Sequence, residues 1–335
     1  MKSENNLAIL VWLWCIAALI FAMVIVGGAT RLTDSGLSIT EWKPLLGAIP
    51  PLNEADWLVA FEKYQQIPEF KLQNTWMNLA DFKSIYWWEW AHRFLGRFIG
   101  VAFLFPLVFF VATGRVKRKF VPWLIFLFVM GGAQGALGWY MVSSGLTERV
   151  DVSQYRLAAH LTLAMALFAA VVWTALTLNK SATEGRGRGM ALWFLGLLFV
   201  QIAAGGFVAG LDAGFASDTW PLMDGSWMPN GLDNLQPYWR NLFENNLAVQ
   251  FNHRLLAYVL LALAVIQFIR MRNKTSLAVL LAVLAQMTLG ILTIVSQVRF
   301  DLALLHQAGA LLLLTAVLWH SAEVGRRHAT SKSRH

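Results

Sequence analysis

The sequence predicts an all-α integral membrane protein with eight transmembrane helices, arranged as two parallel-repeat four-helix bundles with both termini in the cytoplasm. Three observations predict this class. Of the 335 residues, 57% are hydrophobic and only 14% are charged, which excludes an ordinary soluble domain, a disordered chain or a fibre. Apolar runs long enough to cross a bilayer recur eight times. The second half of the chain also repeats motifs of the first.

Each apolar run is close to the roughly 20 residues that cross a bilayer as a helix. The predicted spans are about 7–28, 91–113, 120–143, 155–178, 190–210, 250–269, 276–297 and 303–322. Two connections, 30–90 and 211–249, are long and rich in Trp, Pro and Gly, as functional loops often are. In the first of them, apolar residues at helical spacing predict a short helix over 53–64. It is expected to lie on the membrane surface, and loop packing is the alternative.

The distribution of basic residues predicts the orientation. More than half of the Lys and Arg residues lie at the two ends of the chain and in alternate connections, around 115–119, 180–188 and 270–274. The positive-inside rule places these segments in the cytoplasm and the long connections outside. The net charge of +8 is therefore a topology signal, and no nucleic acid partner is expected. The start, MKSENNLAIL, lacks transit-peptide character, so a retained first span in a bacterial plasma (inner) membrane is expected.

The internal repeat relates two halves, 1–180 and 181–335. Each half contains an even number of spans, so the second is expected to enter the membrane in the same sense as the first, about an axis along the membrane normal. The matching motifs are Gly27-Gly28 with Gly205-Gly206, His92-Arg93 with His253-Arg254, and His160 with His306.

Four of the seven histidines occupy matched positions near the outer ends of even-numbered spans: His92, His160, His253 and His306. A lone intramembrane histidine commonly forms an interhelical hydrogen bond, but four at one depth indicate ligands. Two imidazoles without a carboxylate or Cys leave zinc or copper under-coordinated. Haem needs only two axial ligands, since the porphyrin supplies the rest. A bis-histidine haem in each half is therefore predicted, and histidines that only pack between helices are the alternative.

The two predicted sites differ in one nearby residue. Three positions before His92 stands Glu89, and the matching residue of the second half is Gln250. A carboxylate can take a proton or stabilise positive charge, and an amide cannot. This contrast predicts chemistry in the first half, with Glu89 as the candidate catalytic residue, and electron transfer in the second. The alternative is a Glu favoured by the dipole at a helix start. Arg93 and Arg254 are candidate propionate partners, with snorkelling to the interface as their alternative.

Several long motifs resemble haem A synthases of the alphaproteobacterial and mitochondrial type. They are GGATRLTDSGLS at 27–38, WKP at 42–44, PP at 50–51, EWAHR at 89–93 and TWPLMDG at 219–225. The similarity runs through nearly the whole chain. It implies oxidation of the C8 methyl of haem O to a formyl group, which supplies haem A to terminal oxidases.

The same resemblance implies a division of labour among the ligands. His92 and His160 would hold the substrate haem, His253 and His306 would hold haem b as a permanent cofactor, and Glu89 would serve the reaction. Haem O synthase and cytochrome oxidase assembly factors are candidate partners, beside membrane lipid. Glycine pairs such as Gly206 and Gly210 permit an oligomer. Some relatives carry cysteine pairs in their outer loops, whereas the one cysteine here, Cys15, lies in the first span.

Two other functions remain open from the sequence. One is a di-haem b-type membrane electron carrier with quinone as its partner, in which both haems are permanent. The other is a haem transporter or chaperone, which would release its porphyrin unchanged. The contrast between Glu89 and Gln250 and the two large outer connections favour the enzyme over the carrier.

Overall fold

A computed structural model describes residues 2–43, 46–147, 149–178 and 188–324. Within these ranges the regular structure is helical, and the only β-pairing is an isolated bridge between Met223 and Ser226. Some of the basic residues used to predict the orientation, at 180–186 and 326–334, lie outside the described residues. The predicted boundary between the halves, at 180/181, lies outside them too.

Eight of the described helices are long and apolar enough to cross a membrane, which confirms the predicted number of spans. Three short helices, α2, α3 and α8, lie in the two long connections. In chain order the helices are α1 (Lys2–Leu32), α2 (Glu54–Tyr64), α3 (Pro68–Leu72), α4 (Leu79–Ala112), α5 (Val121–Val142), α6 (Gln154–Thr177), α7 (Arg188–Gly210), α8 (Asn241–Glu244), α9 (Asn246–Met271), α10 (Lys274–Val295) and α11 (Phe300–Val324).

Helix α4 begins well before the predicted start of its span at residue 91. Its N-terminus is fixed by a capping box, in which the Asn78 side chain accepts from the backbone of Asp81 and the Asp81 carboxylate accepts from the backbone N–H of Asn78. Glu89 and His92 therefore lie in the interior of a 34-residue helix. The helix dipole acts on the first turn only, so a helix-start preference does not account for Glu89.

The short helix predicted over 53–64 is confirmed as α2, and the Asn53 side chain caps its N-terminus. Its aromatic residues Trp57 and Tyr64 are buried against Phe82 near the start of α4, with ring centroids 6.5 and 5.3 Å from that ring. The apolar face of α2 thus packs against protein, as in the loop-packing alternative. It is one side of a compact aromatic core in the first long connection.

The described residues form two compact units. One lies within Ala18–Ala164 and contains α2 to α5 with the adjoining parts of α1 and α6. The other consists of Met165–His335 with Met1–Ala17. In this second unit, α7 packs against α9 and α11, and α10 packs against the same two helices, so the four helices close into a bundle.

Candidate active site

In the unit within Ala18–Ala164, each candidate ligand is packed against a glycine of a neighbouring helix. A Cβ atom added to Gly27 of α1 would lie 3.0 Å from Nε2 of His92 on α4. One added to Gly138 of α5 would lie 2.9 Å from Cε1 of His160 on α6. Any larger residue at either position would displace the imidazole, so both glycines are needed for the rings to adopt these positions.

The second unit repeats this arrangement. A Cβ atom at Gly205 of α7 would lie 3.2 Å from Cε1 of His253, and one at Gly290 of α10 would lie 2.9 Å from Cε1 of His306. The imidazoles of His253 and His306 are neighbours, with centroids 6.5 Å apart and planes at 78°. An imidazole nitrogen binds a metal at about 2 Å, so two axial rings on one iron have centroids roughly 6 Å apart. The donor set and spacing of this pair fit a bis-histidine haem.

Glu89 of α4 is 2% exposed, and both of its carboxylate oxygens are engaged. Oε1 accepts from Nε and Nη2 of Arg93 at 3.0 and 2.6 Å, and Oε2 accepts from Oγ of Ser38 at 2.8 Å and the backbone N–H of Ile39 at 2.7 Å. The carboxylate is thus bonded on one side to an arginine of its own helix and on the other to the first long connection.

Arg93 reinforces this attachment. Its Nη1 donates to the main-chain oxygen of Glu41 at 3.0 Å, and its Nη2 donates to that of Ile39 at 2.7 Å. One turn further along α4, Nη2 of Arg97 donates to the main-chain oxygen of Lys43 at 3.0 Å. Together Glu89 and these arginines hold residues 38–43 against α4.

In the second unit, Gln250 and Arg254 attach the second long connection to α9 in an equivalent way. The central side chain differs, because Gln250 donates hydrogen bonds to the connection whereas Glu89 accepts them. Nε2 of Gln250, a residue that is 2% exposed, donates to the main-chain oxygens of Gly214 at 3.1 Å and Ser217 at 2.9 Å. Arg254 donates to the amide oxygen of Gln250 at 3.2 Å and to the main-chain oxygens of Ser217 and Thr219. The structure therefore shows Arg93 and Arg254 bound to carbonyl groups of the long connections, and their predicted contact with propionates remains a prediction.

The glycine-led motif 27–38 comprises the end of α1 and a hydrogen-bonded turn that follows it. The N–H of Ser35 donates to the carbonyl of Thr30 at 2.9 Å, and the hydroxyls of Ser35 and Thr33 are 2.6 Å apart. Asp34 adopts a left-handed backbone with φ of 47°, which turns the chain back. This turn brings Ser38 within hydrogen-bonding distance of the Glu89 carboxylate on α4.

The first long connection also carries two carboxylates in contrasting environments. Hydrogen bonds from Lys63 and Lys43 lower the pKa of exposed Glu41. Burial raises the pKa of Glu69 to about 8, although a hydrogen bond with Tyr64 partly opposes this rise. Asn74 donates to the hydroxyl of Tyr64 at 2.7 Å, so these residues form one buried polar cluster.

Three glutamines beside the candidate ligands were not predicted from the sequence. Each lies on a helix that faces a candidate histidine and donates through Nε2 to the main-chain oxygen of that histidine. A recurring Gln-x-x-x-Gly pattern in three odd-numbered spans is the signal that identifies them. The pairs are Gln134 with His160 at 3.0 Å, Gln201 with His253 at 3.1 Å, and Gln286 with His306 at 2.8 Å.

Comparison with known proteins gives matches over nearly the full length. The family described as "Cytochrome oxidase assembly protein" matches residues 10–318. A protein named "Heme A synthase" from Parvibaculum lavamentivorans is 52% identical over 326 residues, 95% of this chain and 94% of the relative. Proteins of the same name from Azorhizobium caulinodans and Nitrosospira multiformis are 51% identical, covering 97% of this chain and 96% of the relative, and 48% identical, covering 97% of each.

Proposed function

The chain belongs to the family of cytochrome oxidase assembly proteins, and from this premise we propose that it oxidises the C8 methyl of haem O to a formyl group, producing haem A for terminal oxidases. Relatives that are about 50% identical over nearly the whole chain are named "Heme A synthase". The eight apolar helices suit a substrate that partitions into the bilayer.

The observation that carries the proposal is the close pair of His253 and His306, whose ring centroids are 6.5 Å apart. We assign this pair as the residues that would hold a resident haem b, whose iron would supply one-electron chemistry. Gly205 and Gly290 support the assignment because a Cβ at either position would crowd an imidazole.

His92 and His160 belong to the other unit and are proposed to hold the substrate haem. Each is packed against a glycine, His160 through Cε1 like the cofactor ligands and His92 through Nε2, and these close approaches support a second haem site. Glu89 lies one helical turn before His92. Its contacts with Arg93 and Ser38 hold the carboxylate in place, so it can stabilise positive charge that develops on the oxidised methyl carbon without first reorganising.

The proposal includes an orientation and a location. The two halves form a parallel repeat in a bacterial plasma membrane, with both termini in the cytoplasm and the connections 30–90 and 211–249 outside. These connections then lie over the haem sites, and the bonds of Glu89 and Gln250 to them support this placement. Haem O synthase and cytochrome oxidase assembly factors are the proposed protein partners.

A mass spectrum of extracted haems tests the proposed function. Membranes of a host that makes no haem A are compared with and without this protein, with a haem O synthase expressed in both. We expect haem A to appear only when both proteins are present, and haem O alone in the absence of this chain. Haem b and unchanged haem O in both samples would contradict the proposal and indicate an electron carrier or a haem transporter.

A further inference from the structure

The turn between α9 and α10 contains a cavity at the opposite end of α9 from the candidate ligand His253. Between His253 and the end of α9 at Met271 the helix extends roughly 27 Å. The cavity has a volume of about 570 Å3, which is within the range of small-molecule sites. The lining residues are Phe268, Ile269, Arg272, Asn273, Lys274 and Leu277. The cavity is therefore separate from the proposed haem sites.

Hydrogen bonds fix the backbone of the turn that lines this cavity. Only Arg272 and Asn273 join α9 to α10. The N–H of Arg272 donates to the carbonyl of Phe268 at 2.8 Å, and the side chain of Asn273 caps α10 by accepting from the N–H of Ser276 at 2.8 Å. The side chains of Arg272 and Lys274 therefore start from fixed positions at the cavity.

An arginine is an unusual residue at this point of the turn. Arg272 has a left-handed backbone with φ of 42°. A left-handed residue directly after a helix is most often glycine, because a Cβ atom makes positive φ unfavourable. The backbone of the turn alone would favour glycine. The presence of arginine indicates that its exposed guanidinium, beside the cavity, has a role of its own.

The basic residues of this turn are not balanced by acidic ones. No Asp or Glu occurs between positions 245 and 300 of the sequence. None of the ion pairs among the described residues includes Arg270, Arg272 or Lys274. The turn therefore presents three positive charges within five residues, and two of them line the cavity. Such a site attracts a negatively charged group.

The other lining residues are mostly apolar and belong to helices that can span the membrane. Phe268 and Ile269 are in the last turn of α9, and Leu277 is in the first turn of α10. Ile269 and Leu277 are exposed, so they are available to a hydrocarbon chain. A ligand that fits all of these residues has a negatively charged head and an apolar tail.

We propose that this cavity binds an anionic phospholipid, with its phosphate held by Arg272 and Lys274 and its acyl chains against Phe268, Ile269 and Leu277. Guanidinium and ammonium groups form charge-assisted hydrogen bonds with phosphate oxygens. Basic pockets between transmembrane helices are typical sites for anionic lipid headgroups. In the proposed orientation the lipid belongs to the cytoplasmic leaflet. The site is independent of the haem chemistry, because none of its residues is a candidate ligand.

Native mass spectrometry of the purified, full-length protein tests this proposal. The protein is delipidated in detergent and titrated with phosphatidylglycerol or with phosphatidylcholine. We expect the wild type to bind one phosphatidylglycerol at least about 10-fold more tightly than phosphatidylcholine. Arg272→Gln combined with Lys274→Gln should weaken phosphatidylglycerol binding about 10- to 30-fold, because both phosphate contacts are lost. Equal affinity of the wild type for the two lipids would overturn the proposal.

The corresponding basic connection of the first half supplies a matched control. There, Arg115 and Lys119 lie over the rings of Phe109 and Phe120, 5.0 and 5.5 Å from the ring centroids. Arg115→Gln combined with Lys119→Gln removes the same charge from the same predicted face of the membrane. This control should bind phosphatidylglycerol like the wild type. Equal weakening in both double variants would show a general effect of charge and would overturn the proposed site.

Two further measurements separate a bound lipid from a free anion and from a change in folding. Inorganic phosphate at millimolar concentration should not displace phosphatidylglycerol, and displacement would show a site for a free anion instead. Arg272→Gly retains a residue suited to the left-handed turn, so without lipid it should unfold at no lower a temperature than the wild type. It should bind phosphatidylglycerol about 3- to 10-fold more weakly. Unchanged affinity in Arg272→Gly would overturn the role of the guanidinium.

Discussion

Glu89 and Gln250 occupy matching places on α4 and α9, yet their surroundings require opposite hydrogen-bonding groups. Glu89 accepts at both oxygens from Arg93, Ser38 and the backbone, whereas Gln250 donates through Nε2 to two main-chain oxygens. The contrast therefore extends beyond charge to the way each long connection is attached. A substitution at either residue changes an attachment as well as a chemical group, so its control must separate the two effects.

The first prediction concerns the charge of Glu89. We expect Glu89→Gln to bind haem at both sites but to form haem A on the order of a hundredfold more slowly, with haem O or its hydroxylated intermediate accumulating, because the fixed charge near the oxidised carbon is lost. Mass spectrometry of extracted haems measures this. Ser38→Ala is the control, since it removes one hydrogen bond of the same attachment and leaves the charge. Equal losses in both variants would show that attachment, and not charge, is what matters.

The second prediction concerns the ligands. His253→Ala and His306→Ala should each remove the low-spin haem b signal from the purified protein, because each loses one of two axial nitrogens. His320→Ala is a matched control. His320 is also a buried histidine of α11, but it bonds to Thr275 at 2.8 Å and is not a candidate ligand. Its substitution should lower stability and leave the haem spectrum unchanged. A normal bis-histidine spectrum in both ligand variants would refute the assignment.

At the scale of elements, the buried polar cluster of Tyr64, Glu69 and Asn74 predicts that the stability of the first long connection depends on pH. Burial raises the pKa of Glu69 to about 8 from its ordinary value of 4.5, so the folded segment favours the protonated form. Stability is then greatest below about pH 4.5 and falls as the pH rises through 8, by an amount on the order of several kcal/mol. Glu69→Gln should abolish this fall.

Hydrogen exchange of residues 54–74, corrected for intrinsic rates and compared at pH 5 and pH 9, measures the effect. The wild type should be less protected at pH 9, and Glu69→Gln should be equally protected at both values. Glu62→Gln, on the exposed side of α2, should behave like the wild type. Equal protection of the wild-type segment at both pH values would count against a buried, protonated Glu69.

The helices show which features of the elements are readable from sequence. Hydropathy alone predicts all eight spans, because each is an apolar run of sufficient length. It misses the first turns of α4, where aromatic and polar residues mix and the start is set by the capping box at Asn78. The periodicity of Trp57 and Tyr64 was enough to predict α2. Its partner Phe82 could not be predicted, since that contact depends on tertiary packing.

At the scale of the whole molecule, the predicted ligands and their glycines are more accessible to sequence analysis than the residues that support them. His253 and Gly205 are visible because the repeat duplicates them. Gln201 was missed because its Gln-x-x-x-Gly pattern gains meaning only once the structure shows the glutamine bonded to His253. The attachment of Ser38 to Glu89 was missed because the two are 51 residues apart.

The last prediction concerns the orientation of the whole chain. If the basic connections are cytoplasmic, the connections 30–90 and 211–249 lie outside. The native thiol, Cys15, is exposed and is first replaced by Ser. Single cysteines at Asp81 and Asp233 should then react with a membrane-impermeant maleimide in intact cells.

A cysteine in place of Lys117, in a basic connection, is the matched control and should react only after the membrane is permeabilised. The test depends on the contrast between these positions: Asp81 lies in the first turn of α4 and Asp233 in the second long connection, whereas Lys117 lies in a basic connection. The opposite result in intact cells would be labelling of Lys117→Cys with protection of Asp81→Cys and Asp233→Cys. It would show that the true orientation is the reverse of the predicted one. That result would place the two long connections on the cytoplasmic face.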